Sequence, residues 1–281
     1  MYLKMPKGTK IKALKSDTEL KEEVVIENFY EWINERHSIY QKRIRGDSPP
    51  WTEDPILREY KFTNPFREND RTTVYMRKAW TDPHNNRPFG EIIFNCCLFR
   101  MVGTMDFAEV HGWVDADSLN WDPEYTVNLI SKRLKHGLKT FTGAYIITNQ
   151  GIKKPKAEVV VYEFLVPIYE RQLALAEVAR ESNSLQAVHH ALSAYKGWGG
   201  GGFMSYEVVS DLNYTSVLDK ATDRFSWANA GPGAMRGINR IHGYPLKKMH
   251  SQERANTFMQ KILAEKDNYI DLDIVNPYDV D

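Results

Sequence analysis

The chain has 281 residues, 42% of them hydrophobic, which is enough to bury a core as one large domain or two small ones. Its 37 basic and 37 acidic side chains give a formal net charge of zero. That balance argues against a protein that coats nucleic acid unspecifically, but it allows an enzyme with a local basic groove. The sequence has neither a signal peptide nor an apolar run of about twenty residues, so we expect a cytoplasmic protein with no membrane partner.

The predicted elements are nearly all helices, about ten in number. The first follows a capping box at Ser16 and Glu19 and ends near Arg45, before Gly46. Further helices are predicted over residues 72–81, 89–101, 106–113, 123–136, 156–181, 185–195, 232–241 and 251–265. The nearly all-apolar helix at 89–101 should be central, and Pro167 should kink the helix at 156–181.

Residues 140–151 are β-rich in composition and predict either a short strand or an extended buried loop. No repeat or linker divides the chain. The sequence therefore predicts a mainly α fold, a single-domain helical bundle over residues 1–281. Within it, residues 1–15 form a basic N-terminal extension and residues 266–281 an acidic C-terminal tail.

Residues 35–71 combine little regular periodicity with many aromatic and charged side chains. The apolar members are Trp51, Ile56, Leu57, Tyr60, Phe62 and Phe66, and the charged members are Arg36, Arg43, Arg45, Arg58, Arg67, Arg71, Asp47, Asp54 and Asp70. An irregular segment this apolar must pack against the protein, and its packed charges must be paired or face a ligand. It is either a site-building segment or a surface loop with ordinary salt bridges.

The sequence GWGGGG at residues 197–202 lies between two predicted helices. A helix, a glycine turn and a second helix can hold a DNA phosphate on free backbone amides, as helix-hairpin-helix modules do. The DNA-binding candidates are Gly197, Gly199, Gly200 and Gly201. The alternative is an ordinary glycine turn. No Gly-Lys-Ser/Thr follows, so the turn is not a P-loop, and a kinase role is not expected.

On the helix after this turn, Phe203, Met204 and Val208 are expected in the core. Glu207 and Asp211 are four residues apart and share a face, which predicts either an acid/base pair or a solvated surface.

A second turn opens the helix at 232–241 with Gly231, Pro232 and Gly233, and Arg236 and Arg240 follow on one face. It is either an anion site that could contact DNA or a helix start with two surface arginines.

The sequence offers few other recognisable sites. The eight histidines show no metal-ligand spacing, so we predict no structural metal. Cys96 and Cys97 are adjacent and are expected to be buried thiols. Serine, cysteine and lysine nucleophile motifs such as GxSxG are absent.

Four ordered blocks resemble the α-glutamyl/putrescinyl thymine pyrophosphorylase family, which is related to the helical domain of the 5-hydroxymethyluracil DNA kinases. The blocks are RHSIYQKRIRGDSPPWTEDPIL, FTNPFRENDR, GGFMSYEVVSDLNYT and WANAGPGAMRGINRI. The resemblance implies a helix-hairpin-helix DNA glycosylase architecture. It also implies a transferase of bacteriophage thymidine hypermodification, active in an infected or host bacterial cell. An amine or amino acid displaces pyrophosphate from pyrophosphorylated 5-hydroxymethyluracil in DNA. Some relatives instead excise modified bases, so a DNA glycosylase is the alternative.

The implied reaction assigns roles to residues of these blocks. An enzyme that flips the base out needs a stacking residue, for which Trp51, Tyr206 and Phe203 are candidates, and Asn64 could pair with the uracil edge. The other substrate-binding candidates are Arg36, Asp54, Arg67, Arg71 and Arg236, the arginines for the pyrophosphate and Arg43 or Arg45 for an amino-acid carboxylate. The proton acceptor is sought among Asp70, Glu207, Asp211 and His37.

Three points stay open at this level. The essential aspartate of the glycosylase architecture falls at Asp211, Asp219 or Asp223. Mg²⁺ could accompany the pyrophosphate, although no motif demands it. The donor amine or amino acid is not identified.

Overall fold

The computed structural model describes residues 22–115 and 121–270. These residues form helices and connecting loops, with no strand in the two described ranges. The basic extension at 1–15, the predicted capping box at Ser16 and Glu19, and residues 271–281 of the acidic tail lie outside them. The prediction of a mainly helical fold is confirmed. No helix in the described part of the chain is long and apolar enough to span a membrane.

Between residues 22 and 135, the described part of the chain contains six α-helices. They are α1 (Glu22–Arg45), α2 (Pro55–Glu59), α3 (Arg71–Tyr75), α4 (Phe89–Val102), α5 (Met105–His111) and α6 (Pro123–Lys135). Helix α3 continues as a π-helix over Met76–Thr81, and 3₁₀ turns occupy Arg67–Asn69 and Asp82–His84. Helix α1 ends at Gly46 as predicted, where φ is +83°.

Between residues 136 and 270, all of which the structure describes, there are seven α-helices. They are α7 (Lys156–Glu158), α8 (Val166–Glu170), α9 (Gln172–Ser182), α10 (Leu185–Ser193), α11 (Phe203–Leu212), α12 (Pro232–Ile241) and α13 (Gln252–Ala264). A π-helix over Val159–Leu165 joins α7 to α8, and a 3₁₀ turn follows α13 at Lys266–Asn268.

Helix α4 is the centre of the protein. Every residue from Gly90 to Val102 is buried, which confirms the prediction from its nearly all-apolar sequence, and Cys96 and Cys97 are buried thiols. Helices α9 and α11 pack directly against it. At Gly90 a Cβ atom would lie 3.0 Å from the carbonyl oxygen of Gln172, so the glycine permits the close approach of α4 and α9.

The prediction of one long helix over residues 156–181 is wrong. The amide of Val166 donates to Val161, five residues back, so the chain is wound as a π-helix immediately before Pro167. The proline has no amide hydrogen to continue the α-helical ladder. A second break follows at Arg171, where φ is −108° and ψ is 10°, and α9 starts anew.

Residues 140–151 form a loop without a strand. Part of it is buried: Thr140 and Ile147 are inside, whereas Ile146 is 86% exposed. The amide of Thr142 donates to Val102 and the hydroxyl of Tyr145 donates to the Arg100 carbonyl, so the loop lies against the C-terminal end of α4. Of the two predicted alternatives, the packed loop is the correct one.

Candidate functional site

Four charged side chains from three separate elements meet beside α4. Arg100 lies on α4, Glu207 and Asp211 lie one turn apart on α11, and Arg67 comes from the 3₁₀ turn before α3. Arg100 donates from Nε and Nη2 to the two carboxylate oxygens of Asp211, both at 2.5 Å, and its Nη1 lies 3.0 Å from Glu207. Arg67 Nη2 lies 3.0 Å from Glu207 and 3.7 Å from Asp211. We call these four residues the arginine–carboxylate cluster.

Burial explains why the cluster is fully paired. The side chain of Asp211 is 0% exposed and that of Arg100 is 7% exposed. A lone charge at such depth would be strongly unfavourable, and a bidentate arginine–carboxylate pair satisfies both groups. Of the two alternatives predicted for Glu207 and Asp211, the solvated surface does not hold, because both carboxylates are largely buried and paired with arginine.

The cluster changes the ionisation of its members and neighbours. Burial opposes the charge on Arg100, but the attraction and hydrogen bonds of Asp211 and the attraction of Glu207 outweigh it and raise the pKa of Arg100. The pKa of Arg67 is raised in the same way: burial opposes its charge, and Asp211 and Glu207 overcome the penalty. Burial raises the pKa of the Tyr145 hydroxyl to about 12, so this residue stays neutral.

Arg67 is the member of the cluster on the solvent side. Its side chain is 32% exposed, against 15% for Glu207 and 7% for Arg100. Its Nη atoms contact Glu207, whereas its Nε is buried and has no hydrogen-bond partner among the described residues. Arg67 is therefore the most exposed cation of the cluster, and Glu207 and Asp211 hold it in place.

An aromatic edge adjoins the cluster. Tyr145 donates to the Arg100 carbonyl at 2.6 Å, and the Phe203 ring packs edge-on against Tyr145 with centroids 5.4 Å apart. Phe203 is 49% exposed, so its prediction as core is wrong, whereas Met204 and Val208 are buried as expected. Phe203 is thus an exposed ring available for stacking.

The glycine turn connects α10 and α11, which pack against each other as a hairpin. Gly197 has φ of +91°, and a Cβ atom there would lie 2.5 Å from the ring of Phe164. Trp198 is completely buried and donates to the Phe164 carbonyl at 2.9 Å. Gly199 passes close to Ser193, where a Cβ atom would meet the carbonyl oxygen at 2.9 Å. The first half of the turn is therefore packed.

The second half of the turn faces outward. Gly200 and Gly201 have positive φ, are exposed, and have open space where a Cβ would be. Gly202 precedes α11 without a side-chain cap. The backbone at Gly200 and Gly201 is therefore the part of the turn that a ligand could approach.

Three predicted site residues instead hold the segment at 62–66 against α1. Arg36 donates to the Thr63 carbonyl, and burial lowers the pKa of Arg36. His37 is buried and lies edge-on to Phe66, with ring centroids 4.9 Å apart. Asn64 accepts from the Phe66 amide at 2.8 Å, and its buried Nδ2 has no hydrogen-bond partner among the described residues.

Other predicted residues of this segment have structural contacts. Asp54 caps α2 through the amides of residues 56 and 57, and Asp70 caps α3 through those of residues 72 and 73. Trp51 donates to the Asp47 carbonyl at 2.7 Å. Arg71 is exposed. Within residues 35–71, Arg67 is thus the residue whose ion pairs join it to Glu207 and Asp211.

The aspartates after the hairpin are not equivalent. Asp223 accepts from Ser184 Oγ and from the amides of Leu185 and Gln186, which caps the start of α10. Asp219 is exposed and its carbonyl accepts from Arg224. Of the three candidates, Asp211 alone lies in the arginine–carboxylate cluster.

The remaining predicted residues lie away from the core. Gly231 is the N-cap residue of α12, and Gly233 has open space around it. Arg236 and Arg240 are exposed on α12. Tyr206 is half-buried on α11 and lies edge-on to Trp227, with centroids 5.8 Å apart.

Sequence reasoning missed Arg100 and Tyr145. A signal for Arg100 was present, because it is the lone arginine within the apolar helix at 89–102 and must have a partner there. No comparable signal marked Tyr145, which reaches the site from a loop.

No group of three or more histidine, cysteine, aspartate or glutamate side chains in the described ranges is arranged to hold a metal ion. The carboxylates of the cluster fit Mg²⁺ poorly as well, since each already faces an arginine.

Together, the fold and the site define a helical domain that holds two arginines on a carboxylate pair beside a glycine-rich hairpin. Residues 23–276 match the family model described as "5-hmdU DNA kinase, helical domain". The chain belongs to this family. It is similar to the 5-hmdU DNA kinase of Bacillus phage SP10, with 27% identity over 227 residues, 74% of this chain and 34% of that protein. The match thus covers about a third of the relative. No solved structure gives a significant match.

Proposed function

We propose that this protein is a DNA base-modifying transferase that replaces the pyrophosphate of pyrophosphorylated 5-hydroxymethyluracil with an amine or amino acid. The main support for the proposal is the position of Arg67. Its guanidinium is partly exposed and pairs with Glu207 and Asp211, and the buried Arg100 pairs with Glu207 from the inner side. Membership of the 5-hmdU DNA kinase helical-domain family supports hydroxymethyluracil in DNA as the substrate.

In this reaction the amine nitrogen attacks the methylene carbon on C5 of the base. A C–N bond forms, the C–O bond to pyrophosphate breaks, and pyrophosphate departs with the electron pair. Negative charge therefore grows on the leaving group, where a fixed guanidinium is most effective. A guanidinium group suits phosphate oxygens, and Arg67 is the most exposed cation of the cluster.

The proton of the donor amine need not go to the protein. Asp70 caps a helix, and Asp211 is buried and bound by Arg100, so neither carboxylate is placed to accept it. The proposal is that the donor reacts as the neutral amine and that water takes its proton. The rate should then rise with pH until the donor amine is fully deprotonated.

Two other activities receive less support. The relative is named a kinase, but the 281 residues contain no P-loop, and the match covers 34% of the relative. A glycosylase would need an aspartate facing the sugar, but Asp223 caps α10, Asp211 is bound by arginine, and Asp219 is exposed at the surface away from the paired arginines. The transferase instead uses Arg67, which is the most exposed member of the arginine–carboxylate cluster.

The test is mass spectrometry of nucleosides digested from DNA that carries chemically or enzymatically pyrophosphorylated hydroxymethyluracil. The DNA is incubated with the full chain and a pool of amines and amino acids. A new nucleoside with the mass of thymidine plus one donor, less two hydrogens, is expected. Arg67→Ala should lose it and the exposed-residue control Arg171→Ala should keep it. Abasic sites would establish the glycosylase instead, and unaltered DNA would refute the transferase.

A further inference from the structure

The segment from residue 228 to residue 252 is one of the basic stretches of the chain. It contains four basic side chains, Arg236, Arg240, Lys247 and Lys248, and no acidic residue, although the whole chain is neutral. All four are exposed, and none forms a salt bridge to a described residue. We call these four residues the basic surface. Unpaired cations concentrated on one surface attract a polyanion.

The loop that carries half of this surface is held firmly. Asn239 is completely buried, and its Nδ2 donates to the carbonyls of Leu246 at 3.1 Å and Lys248 at 2.8 Å. Its Oδ1 accepts from Nε2 of His250 at 2.7 Å. One buried amide therefore fixes both ends of the segment that contains the two lysines.

Helix α13 also fixes the segment before α12. The amide side chain of Gln252 both donates to and accepts from the backbone of Ala230, at 3.0 and 2.8 Å. Asn256 does the same to the backbone of Ala228, at 3.0 and 2.7 Å. Four hydrogen bonds thus hold residues 228–230 in place. A surface whose backbone is already ordered loses little entropy when it binds a rigid ligand.

The segment before α12 contacts the open half of the glycine turn. Asn229 Nδ2 donates to the Gly201 carbonyl at 2.9 Å, and Trp227 lies edge-on to Tyr206. The exposed glycine backbone at Gly200 and Gly201 is therefore joined directly to the segment that leads into α12.

We propose that the basic surface binds the phosphate backbone of duplex DNA, outside the reacting base. The choice of DNA as the polyanion rests on the proposed function. Arg236 and Arg240 occupy successive turns of α12, and Lys247 and Lys248 follow in the loop that Asn239 holds to this helix. Contacts of this kind fix position on DNA without reading its sequence. Arg236 is accordingly assigned to the backbone and not to the pyrophosphate.

The test is fluorescence anisotropy of an unmodified duplex, titrated with the full chain at several salt concentrations. The test variant is Arg236→Ala/Arg240→Ala/Lys247→Ala/Lys248→Ala. The control with the same charge change is Lys78→Ala/Lys132→Ala/Lys135→Ala/Lys153→Ala, which removes exposed lysines elsewhere. Each lost phosphate contact lowers the magnitude of the salt slope by about 0.9, so the test variant should lose a slope of about 3 to 4 and bind at least tenfold more weakly.

Circular dichroism of both variants shows that they fold, and the milder Lys247→Ala/Lys248→Ala should lose a slope of about 2. Equal salt slopes in the test variant and the wild type would overturn the proposal, as would an equal loss in the control. So would binding of the wild type to phosphatidylserine vesicles that depends on these residues while DNA binding does not. DNA binding that depends on the surface, without transfer of any donor, would refute the transferase and leave this inference standing.

Discussion

The substitution Asp211→Asn tests the arginine–carboxylate cluster most directly. Asp211 is fully buried and accepts two hydrogen bonds of 2.5 Å from Arg100, whose side chain is 7% exposed. Asparagine keeps the shape but removes the charge, so Arg100 retains only Glu207 as a counter-charge, at 3.0 Å. Removing one partner of a buried ion pair typically costs about 3–5 kcal/mol of folding free energy.

That cost is large enough to measure without ambiguity. For a chain of this size, each kcal/mol lost from the free energy of unfolding lowers Tm by about 2–4 °C. The loss of about 3–5 kcal/mol should therefore lower Tm by about 6–20 °C. The assay is thermal and urea unfolding followed by circular dichroism at fixed pH. The matched control is Asp219→Asn at an exposed site, which should change stability by less than about 0.5 kcal/mol.

A double variant separates stability from function. Replacing the pair by apolar residues, Arg100→Met/Asp211→Leu, removes both buried charges and should recover stability to within about 1 kcal/mol of the wild type. The double variant should lack transfer activity, because Arg100, which shares the Glu207 carboxylate with Arg67, is absent. A Tm of Asp211→Asn within about 2 °C of the wild type would refute the reasoning, since Arg100 could not then depend on Asp211.

The remaining predictions concern the turn, the pH dependence and the substrate. Gly197→Ala should lower the free energy of unfolding in urea by several kcal/mol more than Gly200→Ala. The reason is that a Cβ at residue 197 would lie 2.5 Å from the Phe164 ring, whereas residue 200 has open space. Similar losses of stability in the two variants would contradict the packed turn. Burial lowers the pKa of His189, so the unfolded chain binds the proton more readily, and stability should be complete above about pH 7 and fall as pH drops below about 6.5. Substituting His189→Gln should flatten that slope of Tm against pH, and an unchanged slope would remove His189 as its cause. Arg67→Ala should weaken binding of pyrophosphorylated DNA more than of plain DNA by anisotropy, and equal losses would make it a general backbone contact.

The sequence by itself determined much of the local structure. The apolar pattern placed α4 at the centre, and the helices at 123–136, 185–195, 232–241 and 251–265 were predicted to within two residues at each end. These features depend on neighbours in the chain, which periodicity and caps report directly. The glycine turn between α10 and α11 was found for the same reason, because glycine marks positions where φ is positive.

Contacts between residues far apart in the chain could not be predicted from the sequence. Residues 35–71 were predicted to pack, but nothing in their spacing indicated that Arg67 would reach Glu207, 140 positions along the chain, while Asp54 and Asp70 would cap helices. The Glu207–Asp211 pair was assigned to a shared face, but its burial depended on Arg100 from another helix.

The physical reason is the same in each case. A helix forms from interactions within a few residues, so its sequence carries most of the information that defines it. Whether a charged side chain is solvated, caps a helix or pairs with a buried partner depends on free energies that only the assembled neighbours determine. In this protein the sequence determined the helices and the glycine turn, and the tertiary structure decided that Arg67, Arg100, Glu207 and Asp211 form one site.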